Sequence, residues 1–515
     1  MALARTRSVA VLGVEGRVCE VEVHLTQGLP QFTLVGLPDT SLAESRDRVR
    51  AAVVTSGQPW PDHRITVNLA PASLPKQGSG FDLAIAAAIL AAQDVLPTGE
   101  LADAVLIGEL GLDGRLHPVR GVLPSAVAAV AAGAGRVVVP EGNAAEAKLM
   151  PGLEVLGVRS LRQLVALLRG EEVPAEPAPR RMPELSPGSG VSAPALDLHD
   201  VVGQPDAREA VTVAAAGGHH LLLVGAPGVG KTMLAERLPG VLPDLEISDA
   251  LEVTTVHSVA GTLAPGAPLV TRPPYQAPHH TASVAAIVGG GSSVLRPGAA
   301  SLAHRGVLFL DESPEFRLGV LDALRQPLES GIISIARAAA QARYPARFQL
   351  VLAANPCPCG LAVGKGLLCT CTPMAKRRYL GRLSGPLLDR VDLRQSLEPP
   401  SRGQIEAGIG TGEDTAVVAA RVRAARARMA HRYRGTPWRT NADVPGHELR
   451  RRWPLAAESV AAVHAMARTG ALSARGLDRV VRTAWTIADL DGRERPDRAD
   501  IHRAAELRRG GPAVA

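Results

Sequence analysis

The stretch HLLLVGAPGVGKTMLAERL, residues 220–238, decides the fold of the chain around it. An apolar run from His220 to Val224 predicts a strand and a helix is predicted from Met233, so the glycine-rich segment between them is a loop. Its glycines let backbone N–H groups approach phosphates, while Lys231 reaches the outer phosphates and the Thr232 hydroxyl is a ligand for Mg²⁺. This P-loop pattern predicts nucleotide contacts at Gly225, Ala226, Pro227, Gly228, Val229, Gly230, Lys231 and Thr232.

Two later apolar strands end in polar residues. Residues 306–310 lead into Asp311 and Glu312, and residues 348–354 lead into Asn355. In the predicted site Asp311 holds Mg²⁺ through its water shell, and Glu312 orients and deprotonates the attacking water. The amide of Asn355 is suited to hydrogen-bond the γ-phosphate or that water. The sequence therefore predicts an ATPase with ATP and Mg²⁺ as cofactors.

A further arginine, Arg390, precedes another strand in SGPLLDRVD, residues 384–392. In their order and their residues, these motifs resemble those of AAA+ ATPases of the magnesium-chelatase-like group. They match the Walker A, Walker B, sensor 1 and arginine-finger motifs of that group. The resemblance implies that Arg390 reaches a neighbour's γ-phosphate, so that copies of the chain close into a ring of six. It also implies that Arg475 is sensor 2, with Arg479 and Arg482 as rivals. A surface salt bridge is the alternative role for Arg390 and for Arg475.

Two more segments resemble features of the same group. Residues 257–305 resemble its helix-2 insert and residues 331–344 its pre-sensor-1 hairpin, and in a ring both kinds of insert point toward the central pore. Contacts to a DNA backbone are predicted there, or equally contacts that stabilise the ring, at Arg272, His279, His280, Arg337 and Arg343. Adjacent histidines without a third ligand nearby favour packing or hydrogen bonding over metal binding.

The N-terminal part of the chain resembles a protease. Residues 65–145 resemble the proteolytic domain of Lon, in which a lysine activates a serine nucleophile. In this alignment the serine position falls on Gly80 and the lysine position on Leu123, and neither can do that chemistry. Ser79 with Lys76 is a shifted alternative, but a nucleophile moved by one residue points elsewhere. We therefore expect the Lon-like fold without protease activity.

The length of 515 residues predicts about three domains. The predicted division is a Lon-like domain over 1–170 without the catalytic dyad, a proline-rich linker over 171–195, an AAA+ core over 196–400 and a helical lid domain over 401–515. The predicted fold class is α/β, with a Lon-protease-like (ribosomal S5 domain 2-like) domain, a P-loop AAA+ module and a helical C-terminal domain. Together these parts resemble the YifB/ComM proteins over nearly the whole chain.

Four of the five cysteines fall within fifteen positions, at Cys357, Cys359, Cys369 and Cys371. Four thiolates this close can surround one tetrahedral Zn²⁺, although two-residue spacers are commoner than the single-residue spacers found here. Unpaired thiols in a reducing cytoplasm are the alternative. Cys19, in a strand-like stretch, is most simply a core residue.

The formal charge of +6 is unevenly distributed along the chain. Residues 401–515 carry 21 Arg against 13 Asp plus Glu, a balance of +8, so the other 400 residues sum to −2. A solvated amphipathic surface and a surface facing nucleic acid are both consistent with this pattern. The sequence has no run of about 18 apolar residues and no signal-peptide core, so we expect a cytoplasmic protein with no membrane contact.

The function expected from these features is an ATP-hydrolysing ring motor. The YifB/ComM resemblance implies branch migration or helicase-like remodelling of DNA, related to competence or recombination, with DNA as the partner. The first rival is a magnesium-chelatase-type motor subunit that drives metal insertion. A Lon-type peptidase is disfavoured by Gly80 and Leu123, and a scaffold that binds ATP without turnover is disfavoured by Asp311 and Glu312.

Overall fold

The structure is a computed structural model. It describes residues 2–177, 196–263, 269–291, 295–337, 340–362, 368–401, 403–404, 406, 412–470 and 472–510. Most of the predicted linker, residues 178–195, therefore lies outside the described residues. Among the residues described, no helix is both long and apolar enough to cross a bilayer.

The N-terminal part is built on a seven-stranded mixed sheet with the order β3-β4-β2-β1-β5-β8-β9. Its strands are β1 (Ala2–Leu12), β2 (Glu15–Thr26), β3 (Gln31–Val35), β4 (Arg64–Ala70), β5 (Ala104–Leu106), β8 (Arg136–Pro140) and β9 (Glu154–Val158), with a small hairpin of β6 (Glu109–Leu110) and β7 (Leu116–His117). The helices are Thr40–Ala43, Ser45–Thr55, Asp82–Ala92, Thr98–Ala102, Val122–Ala131, Ala144–Ala147 and Leu161–Arg169, with 3₁₀ turns Ser79–Phe81 and Glu141–Asn143.

The helix Asp82–Ala92 forms the centre of this domain. Its sequence is apolar on all sides after the first residue, which is typical of a helix that is fully enclosed. Every one of its residues is buried, against β1 and β2 on one side and the helix Ser45–Thr55 on another. The alanine-rich run over 82–92 is therefore the enclosed core helix of this domain.

The central part is a five-stranded parallel sheet with the order β11-β12-β15-β10-β16. Its strands are β10 (Leu221–Gly225), β11 (Tyr275–Gln276), β12 (Val307–Leu310), β15 (Gln349–Ala354) and β16 (Leu393–Leu397), and a separate hairpin pairs β13 (Ile332–Arg337) with β14 (Ala340–Pro345). The helices are Pro205–Gly217, Lys231–Val241, Ile247–Ala260, Val284–Val288, Ala299–Leu302, Leu318–Ala323, Arg325–Ser330, Pro373–Leu380 and Gly385–Leu388, with 3₁₀ turns Leu198–Asp200 and Ser313–Glu315.

The C-terminal helices share a core with one face of this sheet. They are Thr415–Arg432, Gly446–Arg452, Ala457–Arg468, Ala474–Leu490 and Arg498–Arg509, with a 3₁₀ turn Asn441–Asp443. Side chains alternate between the two faces of a strand, so Leu221 and Leu223 pack in one core with Trp485, while Leu222 and Val224 face a second core on the other side. Because both faces are covered, the three central strands β10, β12 and β15 are largely apolar, as is usual for parallel sheets.

The N-terminal domain contacts the central part through the helix Val122–Ala131 and through the turn between β1 and β2. The helix Val122–Ala131 packs on the helix Ile247–Ala260, and Ser258 Oγ donates to Glu146 across that contact. The turn between β1 and β2 contacts the β13–β14 hairpin. A Cβ added to Gly13 would lie only 2.7 Å from the Arg343 carbonyl oxygen. The hairpin backbone is therefore supported by the N-terminal domain.

Candidate active site

The predicted P-loop lies between β10 and the helix Lys231–Val241. Gly228 and Gly230 have φ of 80° and 100°, where a side chain is strained, and a Cβ on either would meet no atom within 4 Å. The loop is thus a bare backbone turn with open space beside it at a helix N-terminus. That arrangement fits a phosphate group.

Lys231 is a buried cation at the base of this loop. Its Nζ donates to the carbonyl oxygens of Gly225 at 2.7 Å and Ala226 at 2.8 Å, and to Asn355 Oδ1 at 3.1 Å. Burial lowers its pKa, while the nearby carboxylates of Asp311 and Glu312 oppose that shift. The structure therefore brings the Walker A lysine and the predicted sensor 1 amide into direct contact.

The predicted Mg²⁺ ligands also meet. Thr232 Oγ1 donates to Asp311 Oδ2 at 2.8 Å. A hydroxyl and a carboxylate side by side are oxygen donors of the kind that Mg²⁺ binds in nucleotide sites. Ser313 Oγ donates to the Ala353 carbonyl oxygen at 2.8 Å, which ties the end of β12 to the end of β15.

Glu312 has an unusual backbone and a partner that the sequence pattern did not indicate. Its φ is 48°, a left-handed conformation that is uncommon for a residue other than glycine. His280 Nδ1 lies 3.0 Å from Glu312 Oε2. The sequence predicts contacts of His280 with DNA or with a ring neighbour. The His279 ring lies against the His280 ring, tilted by 34° and with 4.1 Å between the centroids. The short distance from the histidine pair to the acid is a tertiary contact, and no local spacing signals it.

Arg390 lies at the amino ends of the parallel strands, opposite to the carboxyl ends where the P-loop lies. β10 and β16 are parallel and in register, with Leu221 opposite Leu393 and Gly225 opposite Leu397. Because Arg390 precedes β16 and the P-loop follows β10, they are separated by the length of the strands, about 13 Å at about 3.3 Å per residue. The Arg390 guanidinium contacts Glu329 and donates to the Pro386 carbonyl oxygen at 2.6 Å. Arg390 therefore does not reach Lys231 or Asn355 of its own chain.

The predicted sensor 2 residue, Arg475, lies close enough to Arg390 for its charge to act on that residue. Burial and then the positive charges of Arg479, Arg325 and Arg475 lower the pKa of Arg390. Arg479 contacts the Asp392 carboxylate and donates to the Arg390 carbonyl oxygen at 3.2 Å, while Arg475 is exposed. The structure thus groups these arginines at the amino edge of the sheet.

The four cysteines of the predicted zinc site converge. Cys357 Sγ lies 3.3 Å from Cys359 Sγ and 3.7 Å from Cys369 Sγ, and Cys359 Sγ lies 3.7 Å from Cys369 Sγ. Together with Cys371, their sulfur atoms all lie within 4.8 Å of one another. The arrangement fits four ligands around one ion, whereas Cys19 is buried in the N-terminal core as expected.

The positions of the Lon dyad are occupied by structural groups. Leu123 is fully buried, and its backbone N–H donates to Glu146 Oε1 at 2.8 Å. Of the shifted pair, Lys76 Nζ donates to the Leu69 carbonyl oxygen at 2.9 Å, whereas Ser79 Oγ donates to Glu109. Serine and lysine therefore have separate partners, and burial lowers the pKa of Lys76.

Many arginines of the C-terminal helices bind groups of the protein itself. Arg426 donates to the Ala215 carbonyl oxygen at 2.6 Å, and Arg503 pairs with Glu209 at 2.6 Å. Arg432 contacts Asp489. These contacts join the C-terminal helices to each other and to the helix Pro205–Gly217 of the central part, so a large share of the positive charge has an internal structural role.

Comparisons with known proteins agree with this organisation. Family models match residues 21–143 (Subunit ChlI of Mg-chelatase), 197–405 (Magnesium chelatase, subunit ChlI) and 412–508 (Magnesium chelatase, subunit ChlI C-terminal). An uncharacterized protein of Mycobacterium tuberculosis is 53% identical over 99% of both chains. The YifB protein of Escherichia coli is 42% identical, covering 99% of this chain and 97% of its own. The competence protein ComM of Haemophilus influenzae is 42% identical, covering 96% and 95%.

A shorter similarity concerns a protease. Lon protease 2 of Bacillus subtilis is 26% identical over 29% of this chain and 30% of its own. The fold class expected from the sequence is confirmed: a Lon-like α/β domain, an AAA+ α/β module and a helical C-terminal part.

Proposed function

Because the chain belongs to the YifB/ComM family of magnesium-chelatase-like proteins, we propose that it is an AAA+ ATPase that remodels DNA as a ring. One observation carries the ATPase part. Lys231, the Thr232–Asp311 pair and Asn355 follow three neighbouring strands in the chain and meet at the carboxyl ends of one parallel sheet. Ligands of open α/β sheets bind at that edge.

The proposed division of labour follows from the donors present. Lys231 and the loop backbone bind the phosphates of ATP, and Thr232 with Asp311 holds Mg²⁺. Glu312 takes the proton of the attacking water, and Asn355 positions that water or the γ-phosphate. A structural Zn²⁺ at the four cysteines completes the proposed cofactor set. The proposed domains are 1–170, 196–400 and 401–515, and residues 171–195 are the linker between the first two.

The proposed ring follows from the place of Arg390. An arginine at the amino edge of the sheet supports action on the nucleotide of a neighbouring copy, since its own P-loop lies at the opposite edge. Arg475, grouped with Arg390, is proposed to serve the same neighbouring site. Head-to-tail contacts of this type close into a ring when the rotation between copies permits. Six is the number of subunits that we propose.

DNA is the proposed substrate, in branch migration or a similar remodelling reaction tied to competence or recombination. The name of the Haemophilus influenzae relative, a competence protein, supports the link to DNA. Arg272 in the insert and Arg343 in the hairpin have exposed side chains, which suits contacts to phosphates. The side chain of Arg337 lies outside the described part of the chain.

Salt-dependent DNA binding tests this proposal. Contacts to phosphates release counterions, so affinity for branched DNA should fall steeply with salt and vary little with sequence. Arg272→Ala with Arg343→Ala should weaken binding and reduce the salt dependence, while Arg468→Ala with Arg495→Ala, which removes two exposed charges elsewhere, should not. Binding that is unaffected by the first pair would remove these arginines from the interface.

A magnesium-chelatase-type motor is the second candidate, favoured by the three ChlI family matches. It shares the same ATP site and differs in its partner. A protein whose ATPase responds to chelatase partner subunits and never to DNA would support this second function. We propose no protease activity, because Gly80 and Leu123 stand at the dyad positions.

A further inference from the structure

The four-cysteine cluster lies in the loop that joins two elements beside the nucleotide site. At one end Cys357 follows Asn355 by two residues at the close of β15. At the other end Cys371 directly precedes Thr372, whose side chain accepts from the Ala375 N–H at 3.2 Å and so caps the helix Pro373–Leu380. Bringing the cysteines together therefore fixes both ends of this loop.

The sulfur atoms have the spacing of ligands to a single ion. Zn–S bonds of about 2.3 Å in a tetrahedron place the sulfurs about 3.8 Å apart. The three Sγ–Sγ separations that involve Cys357, Cys359 and Cys369 are 3.3, 3.7 and 3.7 Å. An all-sulfur tetrahedral site favours Zn²⁺ or iron–sulfur chemistry over Mg²⁺ or Ca²⁺. With four protein ligands such a site is closed and structural.

The turn inside the cluster packs against the P-loop. Gly360 has φ of 76°, and its N–H donates to the Cys357 carbonyl oxygen at 3.0 Å. A Cβ added to Gly360 would lie 2.6 Å from Pro227 Cδ and 2.8 Å from Pro227 Cγ. Only a residue without a side chain fits this close approach in this conformation. The backbone of the cysteine loop is therefore in direct contact with the phosphate-binding loop.

We infer that one Zn²⁺ bound by Cys357, Cys359, Cys369 and Cys371 holds this loop against Pro227 and thereby supports the nucleotide site from outside. The inference rests on the proposed ATP-binding function. Metal binding closes the loop and removes conformational freedom, and a fixed loop keeps both Asn355 and the Gly360 turn in place. The cysteine cluster acts as a positioning device and does not touch the reacting atoms.

Two measurements on the full-length protein test this inference, namely metal content by elemental analysis and affinity for a non-hydrolysable ATP analogue. The parental protein should contain about one zinc per chain. Cys357→Ser with Cys371→Ser should lose the zinc and bind the analogue about tenfold more weakly. Cys19→Ala, which removes the buried cysteine outside the cluster, should change neither quantity.

Gly360→Ala tests the contact without touching a ligand. It should retain zinc and still weaken nucleotide binding, because the new methyl group overlaps Pro227. Gly435→Ala is the matched control, since Gly435 also has a positive φ of 75° but meets no atom within 4 Å of an added Cβ. If the cysteine variants do not fold, Gly360→Ala still tests whether the loop supports nucleotide binding.

The outcomes separate the inference from the proposed function. Parental protein that is folded and free of metal, or that contains iron, would overturn the zinc assignment. Unchanged nucleotide affinity in Gly360→Ala or in a zinc-free variant that folds would overturn the supporting role. Lys231→Ala should keep its zinc and lose nucleotide binding, and if it binds the analogue normally, the proposed ATP site itself is wrong.

Discussion

His280 Nδ1 lies 3.0 Å from Glu312 Oε2. The two residues are 32 positions apart, and the histidine belongs to the long segment between the helix Ile247–Ala260 and β12, whereas the acid follows β12 by two residues. Glu312 is the residue proposed to activate water, and its backbone is held at a φ of 48°. The insert therefore reaches the group on which the proposed hydrolysis depends.

Removing this partner should slow the chemical step. We expect His280→Ala to lower kcat for ATP hydrolysis by about tenfold while nucleotide affinity is retained, because the Glu312 carboxylate loses a group that positions it. His280→Asn, which keeps a polar atom near the ring nitrogen, should recover part of the rate. His279→Ala is the control, since His279 contacts Thr281. Equal loss in both alanine variants would indicate a general packing role for the pair.

The P-loop lysine and the Walker B glutamate should have separable roles. Lys231→Ala should abolish nucleotide binding, because it removes the buried cation at the base of the loop. Glu312→Gln should bind nucleotide normally and lose turnover by about a hundredfold, since only the proton acceptor is changed. Equilibrium binding and steady-state hydrolysis distinguish the two. A Glu312→Gln protein that hydrolyses ATP at the parental rate would refute the role assigned to this residue.

Arg390 should act on the nucleotide of a neighbouring copy. Arg390→Ala alone should bind ATP and fail to hydrolyse it, because its own P-loop lies at the far edge of the sheet. Mixed with Lys231→Ala protein, it should recover part of the activity at interfaces that combine an intact P-loop with an intact arginine. The absence of rescue at every mixing ratio, in assemblies shown to exchange subunits, would argue against action between copies.

His220, at the start of the P-loop strand, should make stability depend on pH. Burial lowers its pKa to about 4, and its Nδ1 accepts from the Leu350 N–H at 3.0 Å. Between about pH 6.5 and 4 the unfolded chain binds a proton that the folded chain does not, so the free energy of unfolding falls as pH falls through this window.

Urea unfolding at pH 7 and pH 5 measures this effect. The parental protein should lose more stability between these two values than His220→Asn, whose amide oxygen can still accept from Leu350. His447→Asn, at an exposed position, should behave as the parental protein does. The same pH dependence in all three proteins would show that His220 does not titrate as described.

Local patterns were sufficient for much of the fold and of the nucleotide site. The P-loop strand and the strands that lead into Asp311 and Asn355 are largely apolar runs followed by a glycine-rich loop, two acids and an amide, respectively. Each lies where its pattern predicts. Because three parallel strands end at the same edge, the motifs at their ends are brought together by topology alone. The cysteine cluster was likewise evident from spacing.

Other parts of the site depend on tertiary contacts that spacing does not encode. The approach of His280 to Glu312 requires the path of the insert, which has no periodic signal. The packing of Gly360 on Pro227 and the grouping of Arg475 with Arg390 also depend on how separate elements dock. The sequence identified His280, Arg390 and Arg475 by residue type and resemblance and Pro227 by the P-loop pattern, but it did not single out Gly360. The neighbours of all these residues came only from the structure.

The central proposal is an ATPase coupled to DNA, and the steady-state rate of ATP hydrolysis with and without branched DNA tests it most directly. We predict measurable hydrolysis by the parental protein without DNA, a several-fold increase with branched DNA that diminishes as salt rises, and no hydrolysis by Lys231→Ala under either condition. A parental rate no higher than that of Lys231→Ala would contradict the ATPase assignment. A parental rate that does not respond to DNA at any salt concentration would contradict the assignment of DNA as the substrate.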